Sequence, residues 1–129
     1  MATIFTQIIN GAIPCHRIYE DEKYLAFLDI RPVKKGHALV IPKTEIDYVF
    51  DLDDAALSEL MCVAKKVARK IKAVIPCRKV GVMVAGLEVP HAHIHLIPID
   101  DVHDLNFAHA HEVDQEELAA LAQTIREKM

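Results

Sequence analysis

Histidine occupies every second position of an otherwise apolar run, residues 90–98, which reads Pro-His-Ala-His-Ile-His-Leu-Ile-Pro. A repeat of two residues is the repeat of a β-strand, in which neighbouring side chains point to opposite faces. The pattern therefore predicts a strand over 91–97, with His91, His93 and His95 on one face and apolar side chains on the other. Alternate residues of a strand stand about 6.6 Å apart, which suits one phosphate-sized group or one metal ion.

A chain of 129 residues has the length of a single domain, 1–129, and can bury a core without disulfides or metals. The net charge is −4 and the Lys and Arg residues are interpreted as spread along the chain, so we expect no long nucleic acid as a partner. Three cysteines without a Cys-x-x-Cys pair predict a reducing compartment, the cytoplasm. The chain starts without a basic leader and has no long apolar run, so we expect no membrane association.

Periodicity and turn residues predict the element order α-β-β-β-α-β-β-α. Thr3 is expected to cap the first helix and Gly11 to end it, and the long central helix is expected over 53–74. Residues 100–111 have no period and are predicted to form a loop that partly covers the site. Short strands joined by tight turns favour an antiparallel sheet and an α+β fold. The five expected strands cover 15–20, 24–29, 37–41, 79–84 and 91–97.

The clustered histidines admit three interpretations. A purely structural role is the weakest, because three imidazoles on one face repel one another once they are protonated. A metal site would use His93 and His95 with a third ligand, for which His37 on another predicted strand is available. In the third interpretation, a neutral imidazole attacks phosphorus to form a covalent intermediate, while its neighbours hold the phosphoryl oxygens.

Residues 91–97 match the His-φ-His-φ-His-φ-φ signature (φ, apolar) of the histidine triad (HIT) superfamily of nucleotide hydrolases and transferases. Segments 3–5, 26–30 and 36–43, with Gly86, occur in the family's order, so the resemblance covers nearly the whole chain. The chain is most similar to the Hint-type branch, whose members hydrolyse nucleoside phosphoramidates and aminoacyl adenylates. The alternatives are a dinucleoside polyphosphate hydrolase of Fhit type and a nucleotide-binding module with little turnover.

The resemblance implies a HIT-like fold, an antiparallel sheet of about five strands with one long central helix and shorter N- and C-terminal helices. It also implies roles for individual residues. His93 would attack the α-phosphate of a purine nucleotide conjugate, and water would release a nucleoside monophosphate such as AMP from the nucleotidyl-histidine. His95 and His37 would donate hydrogen bonds to phosphate oxygens, His91 would complete the set, and Asp29 would accept both ribose hydroxyls. The other expected nucleotide-binding residues are Ile4, Phe5, Ile8, Phe27, Leu28, Ile30, Gly86 and Glu88.

The chain departs from the family pattern at residues 3–6 and at Glu88, among other positions. Some relatives carry a Cys-x-x-Cys zinc motif where this chain has Thr3 and Thr6, so the resemblance implies neither a structural metal nor another cofactor. Glu88 stands where relatives have a serine or threonine that contacts the phosphate. An acid there could act as a general acid or contact a cationic leaving group, and it could equally point to solvent. The family pattern further implies a homodimer in which two sheets pair.

Overall fold

The computed structural model describes residues 2–128 and has an α+β fold. Its elements follow the predicted order. They are α1 (Ile4–Ile9), β1 (Arg17–Glu20), β2 (Tyr24–Leu28), β3 (Ala38–Pro42), α2 (Asp54–Val74), β4 (Lys79–Met83), β5 (Ile94–Ile99) and α3 (Gln115–Arg126). Short 3₁₀ turns lie at Val49–Asp51, Val102–Asp104 and Phe107–His109. Over residues 2–128, none of the helices combines the length and apolar character that crossing a membrane requires.

The five strands form one antiparallel sheet in the order β1-β2-β3-β5-β4. Strand β5, which carries the last histidine of the motif, lies between β3 and β4. Leu39 of β3 pairs with His95, so β3 and the residues just before it lie beside the histidine motif. Strand β4 is at the edge of the sheet, with β5 as its one neighbour.

Capping residues set the ends of the helices where the sequence predicts them. The Thr3 side chain accepts the Thr6 N–H at the start of α1, and Gly11, with φ of +82°, follows its C-cap. The predicted start of the long helix, Asp53, is the N-cap of α2 and accepts the Ala56 N–H. The apolar stripe of α2 then packs against the sheet through its buried residues, Leu60, Val63, Ala64, Val67 and Ile71.

The strands alternate between two apolar clusters, one on each face of the sheet. On the face covered by α2 and α3, Ala26, Val40 and Ile94 join the larger core. On the opposite face, Phe27 and Leu39 pack against Phe5 and Ile8 of α1 and the other members of a smaller cluster. The period of two therefore gives the sheet a helix-covered face and a second face that is free to carry a site.

The strand predicted over 91–97 is wrong in its bounds, because the structure has it at Ile94–Ile99. The backbone N–H groups of His91 and Ala92 donate to the carbonyls of Val89 and Ile46, so this part of the chain is held by loops rather than by a strand. At the other end, β5 continues through Pro98, although proline has no backbone N–H to donate to a neighbouring strand. The strand accommodates it because Pro98 lies beyond the Ile94–Leu96 segment that pairs with β3. The other strand ends differ from prediction by one or two residues.

Positive charge is clustered, and the expectation that it is spread along the chain is wrong. Residues 60–87 contain seven Lys and Arg residues and no Asp or Glu, while the rest of the chain carries a net charge of −11. These cations lie on the solvent side of α2 and at the turn into β4. None has a carboxylate at ion-pair distance within the described part of the chain. We call this surface the basic face: Lys65, Lys66, Arg69, Lys70, Lys72, Arg78 and Lys79.

Candidate active site

A cavity of about 670 Å³ opens on the face of the sheet that carries α1. Its walls come from four parts of the chain, namely α1 with the turn after it, the 27–31 segment, the 85–89 loop, and the C-terminal loop at 107–110. The loop predicted to cover the site therefore borders it, through the unpredicted 3₁₀ turn at Phe107–His109 and the residue after it. Three histidines lie on the cavity floor, His37, His93 and His95.

His37 and His95 form a directed hydrogen-bond relay. The Val33 backbone N–H donates to His37 Nδ1 at 3.0 Å, so this nitrogen carries a lone pair. The proton of neutral His37 is then on Nε2, which lies 2.9 Å from His95 Nδ1 and donates to it. The proton of neutral His95 must then be on its Nε2. A single backbone N–H thus makes His95 Nε2 a hydrogen-bond donor on the cavity floor.

Burial keeps both relay histidines neutral. It lowers the pKa of His37 to about 4. The pKa of His95 falls to about 3, first because of burial and then because of the charges of His37 and His93. Both values lie well below the usual value near 6.5, so the relay consists of two neutral imidazoles at physiological pH.

The backbone orients His93 differently. Its Nδ1 lies 2.7 Å from the His91 carbonyl oxygen, which can only accept, so Nδ1 carries the proton. Burial lowers the pKa of His93 as well, and this leaves Nε2 with a lone pair. The ring lies 4.9 Å from that of His95, centroid to centroid, and its edge packs against Phe5 at 5.1 Å. The site therefore sets an unprotonated ring nitrogen beside a protonated one.

His91 lies apart from the other three histidines, and its expected role of completing the set stays a prediction. Its side chain is completely buried and does not border the cavity. Nε2 donates to the Pro42 carbonyl at 2.8 Å, and Nδ1 lies 3.1 Å from the Thr3 hydroxyl. The predicted division of faces holds, because His91 packs against Phe5 on the α1 side while Ala92, Ile94 and Leu96 join the core under α2. His91 differs from His93 and His95 only in lying behind the cavity wall, in the segment that precedes the strand.

Two carboxylates and one guanidinium line the cavity. Asp29 Oδ1 accepts the Arg31 N–H at 2.9 Å, while Oδ2 lies 3.7 Å from His37 Nε2. Asp29 thus holds the turn into Arg31 with one oxygen and faces the cavity with the other. Burial raises its pKa above the usual range. Arg31 is directed to Ala110 O at 3.5 Å and to a carboxylate oxygen of Glu112 at 3.6 Å.

Glu88 is exposed at the cavity wall. It has neither a hydrogen bond nor an ion pair from its side chain to any of residues 2–128 that the structure describes. Burial dominates the lowered pKa of His93, and the charge of Glu88 opposes part of that shift. Gly86, two residues earlier, takes a φ of +73°, which favours glycine at this turn of the lining loop. With Asp29, Arg31 and Glu88 charged, the cavity lining carries a net charge of −1.

The apolar residues expected to bind the nucleotide lie at different depths in the cavity. Phe5, Ile8 and Phe27 form the buried wall, whereas Ile4 and Ile30 lie at the rim and are about half exposed. Leu28 borders the cavity, but its side chain packs in the core under α2 because it points to the other face of the sheet. Sequence reasoning missed the lining residues Ile13, Leu39 and Phe107, of which Phe107 packs its ring 4.8 Å from that of His95.

Among residues 2–128, one group of side chains could hold a cation. Ligand atoms of Asp29, His37 and His95 lie within 4.8 Å of one another, so the group shares His37 and His95 with the site considered from the sequence but has Asp29 in place of His93. The His37 nitrogen in this group is the protonated Nε2, which donates to His95. It could bind a cation only if its proton moved to Nδ1, where the Val33 N–H points. The hydrogen-bond directions therefore favour the relay over a metal site.

Comparison with known proteins agrees with this architecture. Residues 10–102 match the family model described as the HIT domain. The chain belongs to the HIT family. An adenosine 5′-monophosphoramidase of Schizosaccharomyces pombe is 35% identical over the whole of this chain and 99% of its own length. The adenosine 5′-monophosphoramidase of Saccharomyces cerevisiae is 39% identical over 78% of this chain and 64% of its own.

Solved structures of the HIT family share the fold. A histidine triad nucleotide-binding protein of Sulfolobus tokodaii superimposes with a TM-score of 0.85 and 33% identity, over 95% of this chain and 89% of its own. A HIT-like protein of Bartonella henselae gives a TM-score of 0.84 and 32% identity over 96% of this chain and 93% of its own. The similarity thus extends over nearly the whole chain, including the helices outside the matched domain.

Proposed function

We propose that this HIT protein hydrolyses purine nucleotide conjugates at the α-phosphate and releases a nucleoside monophosphate. The observation that carries the proposal is the pair of opposite tautomers on the cavity floor. An unprotonated His93 Nε2 is a nucleophile, and a protonated His95 Nε2 is a donor for a phosphoryl oxygen. The two yeast relatives named adenosine 5′-monophosphoramidase support phosphoramidates as the substrate class.

In the proposed reaction, His93 Nε2 attacks the α-phosphorus and forms a P–N bond as the bond to the leaving group breaks. When the substrate is a phosphoramidate, the leaving nitrogen takes a proton from solvent and departs as a free amine, and the later addition of water to phosphorus returns a proton. His95 donates to the non-bridging oxygen on which charge grows, and the relay through His37 keeps that donor in place. Water then cleaves the nucleotidyl-histidine, which restores neutral His93 and releases the nucleoside monophosphate.

The remaining lining residues suit the nucleotide part of such a substrate. The apolar wall of Phe5, Ile8 and Phe27 matches the flat faces of a purine. Asp29 Oδ2 faces the same cavity and is a suitable acceptor for ribose hydroxyls. We infer that the base lies against α1 and that the α-phosphate lies over His93 and His95.

The charge of the cavity favours phosphoramidates and aminoacyl adenylates over dinucleoside polyphosphates. A polyphosphate leaving group adds negative charge to a lining that is already net negative, and Arg31, the cation in the lining, is directed to Ala110 and Glu112. A phosphoramidate presents one negative charge at phosphorus. The Fhit-type alternative is therefore the less favourable of the two hydrolase functions.

Quenched-flow mass spectrometry of the intact protein tests the proposal. Mixing with adenosine 5′-phosphoramidate should give a transient adenylyl adduct on His93, followed by AMP. His95→Ala, which removes the phosphate donor, should slow both the formation and the loss of the adduct. AMP binding without adduct or AMP release would favour the alternative of a nucleotide-binding module with little turnover. Loss of activity in a chelator, restored by a divalent ion, would favour the metal interpretation instead.

We further propose a homodimer in which β4 pairs with its counterpart in a second copy. Strand β4 is at the sheet edge, and Val82 and Val84 expose 43% and 45% of their surface there. Light scattering should return twice the 14.5-kDa chain mass, and a Val82→Lys variant should be monomeric. A wild-type mass near 14.5 kDa would contradict the dimer.

The compartment and the remaining partners stay predictions. The cysteines are all free, which agrees with a reducing compartment such as the cytoplasm. Away from the basic face the net charge of −11 opposes an extended polyanion, so we retain the expectation of no long nucleic-acid partner. Fractionation of cells that express a tagged chain tests the compartment.

A further inference from the structure

A second polar cluster lies beside the cavity but outside its lining. The Thr6 hydroxyl donates to Glu45 Oε1 at 2.6 Å, and the Thr3 backbone N–H donates to the same oxygen at 2.9 Å. The Thr6 N–H donates to the Thr3 hydroxyl oxygen at 3.1 Å, and that oxygen lies 3.1 Å from His91 Nδ1. These four residues, which we call the clasp, join the first turn of α1 to the segment after β3 and to the histidine motif.

The hydrogen bonds of the clasp have consistent directions. The Pro42 carbonyl can only accept, so His91 Nε2 carries the proton, and neutral His91 accepts at Nδ1. The single Thr3 hydroxyl proton faces two acceptors, His91 Nδ1 at 3.1 Å and Thr6 Oγ1 at 3.3 Å, and the contact with His91 is the shorter. The bonds from Thr3 and Thr6 hold the pKa of Glu45 below its usual range, so it is an ionised acceptor.

The clasp is connected to His93, the proposed nucleophile, in two ways. The first is the His91 carbonyl oxygen, which accepts the His93 Nδ1 proton and so leaves the lone pair on Nε2. The second is α1, whose six residues are too few to form a stable helix alone. Phe5 on this helix packs against His93, with ring centroids 5.1 Å apart, and against His91 at 5.7 Å.

We propose that Thr3, Thr6 and Glu45 are positioning residues that hold the tautomer and orientation of His93 through His91 and α1. The proposal rests on the proposed function where it concerns turnover, since His93 is then the nucleophile. None of the three borders the cavity, so they act without touching the substrate. The clasp would let the N-terminal helix place the apolar wall and the attacking nitrogen in one fixed relation.

Nitrogen-15 NMR of the histidine rings tests the clasp without substrate. The wild type should show His91 protonated at Nε2 and His93 protonated at Nδ1. Thr3→Val should give His93 a mixture of tautomers, and Thr3→Ser, which keeps the hydroxyl, should restore the single form. Glu45→Ala, at an exposed position, should shift His93 in the same direction by a smaller amount. A single unchanged His93 tautomer in both Thr3→Val and Glu45→Ala would overturn the proposal.

Kinetics on the same variants separates positioning from stability. Thr3→Val should lower kcat about three- to tenfold, the effect of one hydrogen bond, and Thr3→Ser should restore it. The control is Val67→Ala, which creates a cavity under α2 on the other face of the sheet. An equal loss of kcat in Val67→Ala would overturn the positioning role. If the wild type turns over no phosphoramidate, the proposed function fails, and the NMR result still decides the clasp.

Discussion

The two faces of the sheet bury their residues equally well by different means. On the helix-covered face, Leu60 and Ile71 are fully buried by apolar contacts alone. On the other face, His37 and His91 are just as buried, and each has both ring nitrogens in a hydrogen bond. The first arrangement stabilises the fold by removing apolar surface from water. The second gives each buried polar nitrogen a hydrogen-bond partner, which offsets its loss of contact with water.

This difference separates stability from chemistry within a small domain. Apolar contacts have no direction, so the helix-covered face tolerates exchange between residues of similar volume. Hydrogen bonds have direction, and on the site face each one assigns a proton to a particular ring nitrogen. Substitutions on one face should therefore alter the free energy of unfolding, and those on the other should alter turnover.

The largest expected effect is on turnover, from His93→Ala. Loss of the attacking nitrogen should lower kcat by about a thousandfold or more, because the covalent route is removed. The measurement is AMP release from adenosine 5′-phosphoramidate, with His103→Ala, an exposed histidine outside the cavity, as the control. Retained turnover in His93→Ala would contradict the assignment of the nucleophile.

The opposite pattern is expected for Ile71→Ala on the helix-covered face. The variant should lose about 2–5 kcal/mol of unfolding free energy, through lost burial and the cavity left behind. The kcat of the folded fraction should stay within twofold of the wild type. Urea unfolding measures the loss of unfolding free energy. Lys72→Ala, on the exposed side of the same helix, is the matched control. A large fall in kcat for Ile71→Ala would show that the two faces are coupled.

Acid should destabilise the site face in particular. The pKa of His37 is about 4 in the folded chain and near 6.5 when unfolded, so the unfolded state binds more protons between these values. Stability is therefore complete above pH 6.5 and falls as the pH drops towards 4, by about 3 kcal/mol from this residue. Urea unfolding from pH 7 to 4.5 should show a steeper loss for the wild type than for His37→Asn. Equal slopes would contradict a neutral buried His37.

The smallest expected effect concerns the cavity rim. Glu88→Gln removes an exposed charge, so the ratio of kcat/KM for cationic over neutral amine leaving groups should fall about two- to fivefold. Isosteric phosphoramidates of adenosine that differ only in a distal ammonium provide the measurement, at low ionic strength. Glu116→Gln, outside the cavity, should leave the ratio unchanged. An unaltered ratio in Glu88→Gln would mean that this carboxylate points to solvent during turnover.

Much of the fold could be predicted because its causes are local and periodic. The order of the elements follows from repeats of two and 3.6 residues, and the ends of α1 and α2 follow from Thr3, Gly11 and Asp53. The histidine motif and its family resemblance identified the floor of the cavity. The strand over 91–97 was misplaced because contacts of that segment with Val89 and Ile46 leave no periodic sign in the sequence.

The protonation pattern of the site could not be predicted from the sequence. It depends on a backbone N–H at Val33, a carbonyl at Pro42 and a hydroxyl at Thr3. Each contact joins side chains to backbone or hydroxyl groups that no motif marks as functional. The place of Phe107 in the cavity lining could not be predicted for a related reason. It lies in a loop without a periodic pattern, and its ring contacts that of His95 only in the folded chain.

The basic face has a practical consequence for handling the protein. With a net charge of −4 the chain should be retained by an anion-exchange resin at pH 7, yet its seven clustered cations should also bind it to a cation exchanger. At low salt, where charges act over about 30 Å, the basic face of one molecule should attract the acidic surfaces of others. Screening at about 0.15 M salt shortens that range to about 8 Å, so solubility should rise with added salt.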